Sequence, residues 1–122
     1  MEQVQFITVE PGEDLIVSFV VLAEGAGDAT LSEVESIILM RTKYEYLLDD
    51  SERGVKVSHE RYSEEEDALL TEIEFVGDEV KIKTTGRSYY LNVRRVDDGE
   101  IEEARKKLKE MNFDGRFKIK NV

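Results

Sequence analysis

A chain of 122 residues with 40% apolar and 37% charged side chains is one domain's worth of sequence, too apolar for a disordered polymer and ionic enough to need a densely charged surface. Its net charge of −11 sets 28 acidic residues against 17 basic ones, and its adjacent basic residues are only Arg94-Arg95 and Arg105-Lys106-Lys107, which argues against the phosphate neutralisation that nucleic-acid binding requires. Cysteine is absent, so there is no disulfide framework, thiolate nucleophile or Cys-based zinc site.

The N-terminal residues have no basic region followed by an apolar stretch, and the longest charge-free apolar run, residues 15–23, is too short to cross a bilayer. The chain therefore reads as cytoplasmic and not membrane-anchored, with residues 1–122 forming a single α+β domain.

Residues 3–9 predict a first strand. Glu10-Pro11-Gly12-Glu13 is a turn, and residues 15–24 predict a second strand. That strand is apolar on both phases, which predicts a central position covered on both faces. Gly25-Ala26-Gly27-Asp28 is a loop without the spacing of a phosphate cradle. Residues 35–42 carry conflicting signals. Ser32-Glu33-Val34-Glu35 matches a capping box, while Ile37-Ile38-Leu39-Met40 is a compact apolar run that favours a strand. Residues 44–48 extend it or form another strand, and residues 54–60 form the next, with Val55 and Val57 on one phase and Lys56 and Ser58 on the other. Residues 62–67 are an acidic loop.

Residues 69–95 are the most strongly patterned. Gly77-Asp78 is a two-residue hairpin turn that sets Phe75 opposite Val80, Ile73 opposite Ile82, Glu74 opposite Lys81 and Glu72 opposite Lys83. A second such turn at Gly86-Arg87 predicts Ile82 opposite Leu91 and Val80 opposite Val93, with Tyr90 on the polar face beside Lys83. Cross-strand pairs of this kind contribute roughly 0.2–1 kcal/mol each, and a one-residue slip would bury the charges. Asp97 or Asp98 then caps a helix over residues 99–112, whose stripe Ile101, Ala104, Leu108 and Met111 requires a sheet face to cover it. Asp114-Gly115 ends the helix, and Phe117, Ile119 and Val122 mark a short final strand. The fold that results is an antiparallel, strongly curved meander of seven to eight strands, with one C-terminal helix packed on a sheet face.

Catalytic signatures are sparse. His59 is the sole histidine, cannot supply the paired ligands of a usual zinc site, and reads as a solvated residue at a polar strand end. No serine sits in Gly-x-Ser-x-Gly or Ser-x-x-Lys. Paired carboxylates are expected by chance in so acidic a chain, and the absence of tryptophan weakens a sugar site. The runs Asp49-Asp50-Ser51-Glu52 and Glu64-Glu65-Glu66-Asp67 do not fit a calcium loop. No cofactor or metal is implied. The acidic runs read either as solvated loops or as contact loops for a basic partner. The tyrosines read either as ordinary strand residues or as anchors of an interface.

The segments Ile38-Leu39-Met40-Arg41, Arg53-Gly54-Val55 and Ile73-Glu74-Phe75 through Gly77-Asp78 to Val80-Lys81-Ile82 resemble an immunity-protein family of bacterial polymorphic-toxin systems, over residues 36–119. The resemblance implies a small β-rich protein, ending in a helix and a final strand, that acts by binding a cognate toxin. No functional residue carries over from it.

The favoured reading is a non-catalytic protein-binding module, in its most concrete form an immunity protein that neutralises a basic toxin by occluding its surface. Tyr46, Asp49, Asp50, Glu52, Tyr62, Glu64, Glu65 and Glu66 are the candidate partner-binding residues. The alternatives are a small-ligand-binding or enzymatic sheet domain with a pocket between sheet and helix, and a homo-oligomeric structural subunit.

Overall fold

Alternating apolar residues build the first half of the domain strand by strand. A computed structural model of the chain describes residues 2–10, 14–22, 34–42, 44–50, 53–59 and 68–121. Strands β1 (Glu2–Glu10), β2 (Leu15–Leu22), β3 (Val34–Arg41) and β4 (Lys56–His59) pair in sequence order, each antiparallel to the last. The strand signal of the Ile37 run thus prevails over the capping-box signal. The proposed box residues Ser32 and Glu33 lie outside the described residues.

One face of this half is apolar and buried, formed by Val17, Phe19 and Val21 of β2, Ile37 and Leu39 of β3 and Val57 of β4. In β1 the buried residues Val4 and Ile7 are three apart, which a regular strand cannot place on one side. A register shift between Val4 and Phe6 inserts the extra residue that turns both inward and leaves Phe6 exposed. The other face of β2 is less well covered than its sequence suggests: Val20 is buried, but Ile16 and Ser18 are only half-buried.

The second half comprises β5 (Leu70–Val76), β6 (Glu79–Thr84), β7 (Ser88–Asn92), helix α1 (Asp98–Met111) and β8 (Lys118–Asn121). The β5–β6 hairpin has the predicted register from Glu72 to the turn, with a shift between Leu70 and Glu72, and Gly77 supplies the positive φ of 56° that its turn requires. The next hairpin is offset by two residues from expectation: Val80 faces Leu91, Lys81 faces Tyr90 and Ile82 faces Tyr89. Thr84 is the cause. Its hydroxyl donates to the Arg87 carbonyl at 2.8 Å and accepts from the Gly86 and Arg87 amides at 3.2 and 2.9 Å, which closes the turn one residue earlier than Gly86-Arg87. A two-residue offset preserves the faces, so the apolar rows become Ile73-Ile82-Tyr89 and Phe75-Val80-Leu91, and Tyr90 lies beside Lys81 instead of Lys83.

All eight strands form one sheet in the order β4-β3-β2-β1-β7-β6-β5-β8. It is mixed, which corrects the purely antiparallel expectation: β1 runs parallel to β7, and β8 parallel to β5. Alternation identifies a strand but not its direction, and α1 provides the long crossover that a parallel return needs. The sheet does not close, but its edge strand β4 meets the start of β5, which lies next to the other edge strand, β8. The Val57 amide donates to the Ala68 carbonyl at 2.9 Å and the Leu70 amide to the Val55 carbonyl at 2.8 Å.

Helix α1 starts at Asp97, whose side chain accepts from the Gly99 amide at 2.8 Å. It lies against β1 and β2 and buries Ala104, Leu108 and Met111 completely. Burial of a side chain the size of Leu108 or Met111 is worth about 1.5–3 kcal/mol. The β1–β7 ladder covers only Glu2 and Gln3, and farther along β1 the Ile7 amide donates to Glu100 Oε1 of the helix at 2.9 Å. The helix thereby supplies a partner that the diverging strand cannot.

Candidate functional site

Two clusters of polar side chains stand out against this apolar frame. The first begins at the end of β3. Arg41 follows the phase of Ile37 and Leu39 and is therefore carried to the buried side, where a lone guanidinium would be costly. It is fully bonded. Nη1 donates to Asp114 Oδ1 at 2.8 Å and to the Met111 carbonyl at the end of α1 at 2.6 Å, and Nη2 donates to Asp114 Oδ2 at 2.7 Å. Its guanidinium carbon also lies 4.0 Å from the centroid of the Phe113 ring, within cation–π range.

Asp114 is shared. Arg116 Nε donates to its Oδ2 at 2.6 Å, and Arg116 Nη2 reaches Asp50 Oδ1 at 2.6 Å. The hydrogen bond from Arg41, reinforced by that from Arg116, holds the Asp114 carboxyl well below the usual carboxylate range. Hydrogen bonds to Asp114 and then Asp50 raise the Arg116 guanidinium further above its already high value. A chain of alternating charge, Arg41-Asp114-Arg116-Asp50, thus joins a strand end, a helix end and the segment ahead of β4.

That last segment is not the strand expected over residues 44–48. It forms a 3-10 turn, Glu45–Leu47, closed by the Leu47 amide on the Tyr44 carbonyl at 3.0 Å. Thr42 accepts from the Tyr44 amide, and Arg53 donates from Nε to the Leu48 carbonyl and from Nη2 to the Tyr46 carbonyl. These side-chain bonds favour a turn over continued pairing with β2. The turn displays apolar side chains: Tyr46 is 66% exposed and Leu47 73%, and Phe113 at the helix end is 69% exposed. Tyr44 and Tyr46 meet at a tilted 53° with centroids 6.5 Å apart.

Of the sequence-derived candidates, Tyr46, Asp49 and Asp50 share this exposed segment. Asp50 is committed to Arg116 while its own side chain stays 86% exposed. Glu52, Tyr62, Glu64, Glu65 and Glu66 lie outside the described residues. Leu47, Phe113 and Arg41 were missed. Arg41 carried a legible signal, a charge in phase with Ile37 and Leu39.

The second cluster corrects the reading of His59 as a solvated residue. Its imidazole has no exposed surface, stacks on the Tyr89 ring at 5.8 Å and 4°, and places Nε2 3.4 Å from Glu35 Oε2. His59 is in phase with Val57, and Glu35 with Ile37, so alternation carries both to the inner side of the sheet.

No family model, curated protein or solved structure matches the chain. The functional reading therefore rests on geometry and charge. Among the described residues, no three His, Asp or Glu side chains converge as metal ligands, and no helix is long and apolar enough to cross a membrane.

Proposed function

We propose that the chain is a non-catalytic protein-binding module that meets a basic partner through the 44–50 turn. An immunity protein that covers a basic toxin is its most concrete form. The observation that carries this reading is the display of Tyr46 and Leu47, 66% and 73% exposed, on a turn fastened by Arg53 and Arg116. Large apolar side chains displayed in solvent on a backbone tied by side-chain hydrogen bonds suit a partner surface. Asp49 beside them, within a chain of net charge −11, selects a basic surface and speeds its approach, while Asp50 is paired with Arg116.

The test has two stages. A tagged chain captures partners, which are identified and purified, and association is then measured against ionic strength for the natural chain and for Tyr46→Ala and Leu47→Ala. The expected result is an association rate that falls steeply with salt and an affinity lowered tenfold or more in either variant, with thermal stability unchanged. A salt-insensitive rate, or unchanged affinity in both variants, overturns the reading.

The buried Glu35-His59-Tyr89 cluster favours a second reading, an enzymatic or small-ligand sheet domain. Against it, an imidazole without exposed surface offers no face to a substrate.

A further inference from the structure

We infer that Arg116 is the positioning residue of the 44–50 contact surface, fastening that turn to the end of α1. The inference rests on the contact reading above and goes beyond it by assigning the turn's placement to one side chain. Arg116 sits between α1 and β8, 66 positions from Asp50.

Its donors reach both sides of the gap. Nε bonds Asp114 Oδ2 at 2.6 Å on the helix side. On the turn side, Nη2 bonds Asp50 Oδ1 at 2.6 Å and Nη1 bonds the carbonyls of Asp50 and Arg53 at 3.0 and 3.4 Å. Two of these acceptors are backbone oxygens, so the guanidinium holds the course of the chain and not only a mobile side chain. Asp114 is in turn fixed by the buried Arg41, which anchors the whole arrangement in the sheet.

Gly54 lies under the arginine stem. It is buried, and its φ of 134° is a backbone conformation that favours glycine, while a Cβ there would meet Arg116 Cδ at 3.7 Å, an ordinary contact. A planar fork of donors can serve acceptors on both sides of the gap at once, which a lysine ammonium at the end of a flexible stem cannot.

The test is backbone relaxation by nitrogen-15 NMR on the full chain, without any partner, comparing the natural protein with Arg116→Gln and Arg116→Lys. Order parameters for residues 46–50 of the natural protein should match those of rigid backbone, about 0.85, and fall below about 0.6 in Arg116→Gln. Arg116→Lys should give values between the two, while Ile73 and Ile82 remain rigid in all three proteins. If Arg116→Gln does not fold, Arg116→Lys is read alone, and order parameters for residues 46–50 below those of the natural protein are the expected result.

Rigid 46–50 amides in the folded variants overturn the inference. So does an equal loss of order at Ile73 and Ile82, which would make Arg116 a contributor to general stability only. Because no partner enters this measurement, its failure is distinct from failure of the contact reading, which shows in the Tyr46→Ala and Leu47→Ala affinities.

Discussion

Arg41 and Asp114, 73 positions apart in the chain, form a two-pronged ion pair at 2.8 and 2.7 Å on the inner side of the sheet. The arginine side chain is 1% exposed and the carboxylate 30%. Asp114→Asn keeps the shape but leaves a buried guanidinium without its counter-charge. The expected cost is about 3 kcal/mol, towards the low end for a broken buried pair because the carboxylate is partly solvated. Urea unfolding at neutral pH measures it, and a loss below about 1 kcal/mol would mean that solvent already screens the pair.

The same pair sets a pH dependence. The folded Asp114 carboxyl lies well below its ordinary value, chiefly through the Arg41 hydrogen bond. A depressed folded value contributes stability that is complete above the unfolded value, near pH 4, and lost as pH falls toward the folded one. The stability gap between the natural chain and Asp114→Asn should therefore be constant from pH 7 to about pH 5 and narrow steadily below about pH 4. Urea midpoints taken across that range would refute this by showing a gap that widens in acid.

His59 should behave as a core residue. Truncation to Ala removes a ring with no exposed surface and leaves its volume beside Tyr89. The expected loss is about 2–4 kcal/mol. His59→Phe retains the stack and should lose less than Ala does. Equal stability of the natural chain and His59→Ala in denaturant titration would contradict the buried placement.

Thr84 should matter through its hydroxyl alone. Thr84→Val preserves volume and branching but deletes the bonds to Arg87 and Gly86. A loss of about 1–2 kcal/mol is expected from thermal unfolding. An unchanged midpoint would remove the hydroxyl as the reason for the observed register.

The parts of the fold legible in the sequence are those where one local signal sufficed. Gly77-Asp78 demanded a turn, and the charges of Glu72, Glu74, Lys81 and Lys83 forbade a one-residue slip, so the β5–β6 register followed. The β6–β7 offset was hidden because a two-residue slip keeps every residue on its own face, and only the Thr84 side chain separates the two registers. Strand direction was hidden for a similar reason, since Ile119 alternates alike whether β8 runs with β5 or against it.

At the candidate site, Tyr46, Asp49 and Asp50 could be read as an aromatic and acidic segment. The bonds from Arg116 that fasten it could not, because they join positions 66 residues apart, and the local bonds from Arg53 go to backbone carbonyls, which leave no mark in the residue pattern. Glu35, Arg41 and His59 offered a stronger clue than was used. Each is a polar residue in phase with buried aliphatics, and alternation alone places all three inside.

Among the described residues, the short parallel ladder of Glu2 and Gln3 with Leu91 and Asn92 is the only strand pairing between β1–β4 and β5–β8 apart from the bridge of Lys56 with Leu69. Within its own group each strand pairs with its neighbour in sequence, except that β8 returns across α1 to β5, which makes this seam the natural place for the molecule to be divided. Two separately made pieces, cut between His59 and Ala68, should recombine on mixing, driven by the apolar face that α1 lays on β1 and β2. Recovery of the Ile7 and Val57 amide resonances would report the rejoining, and pieces that stay apart would show that an unbroken backbone, not the surfaces at the seam, holds the two groups together.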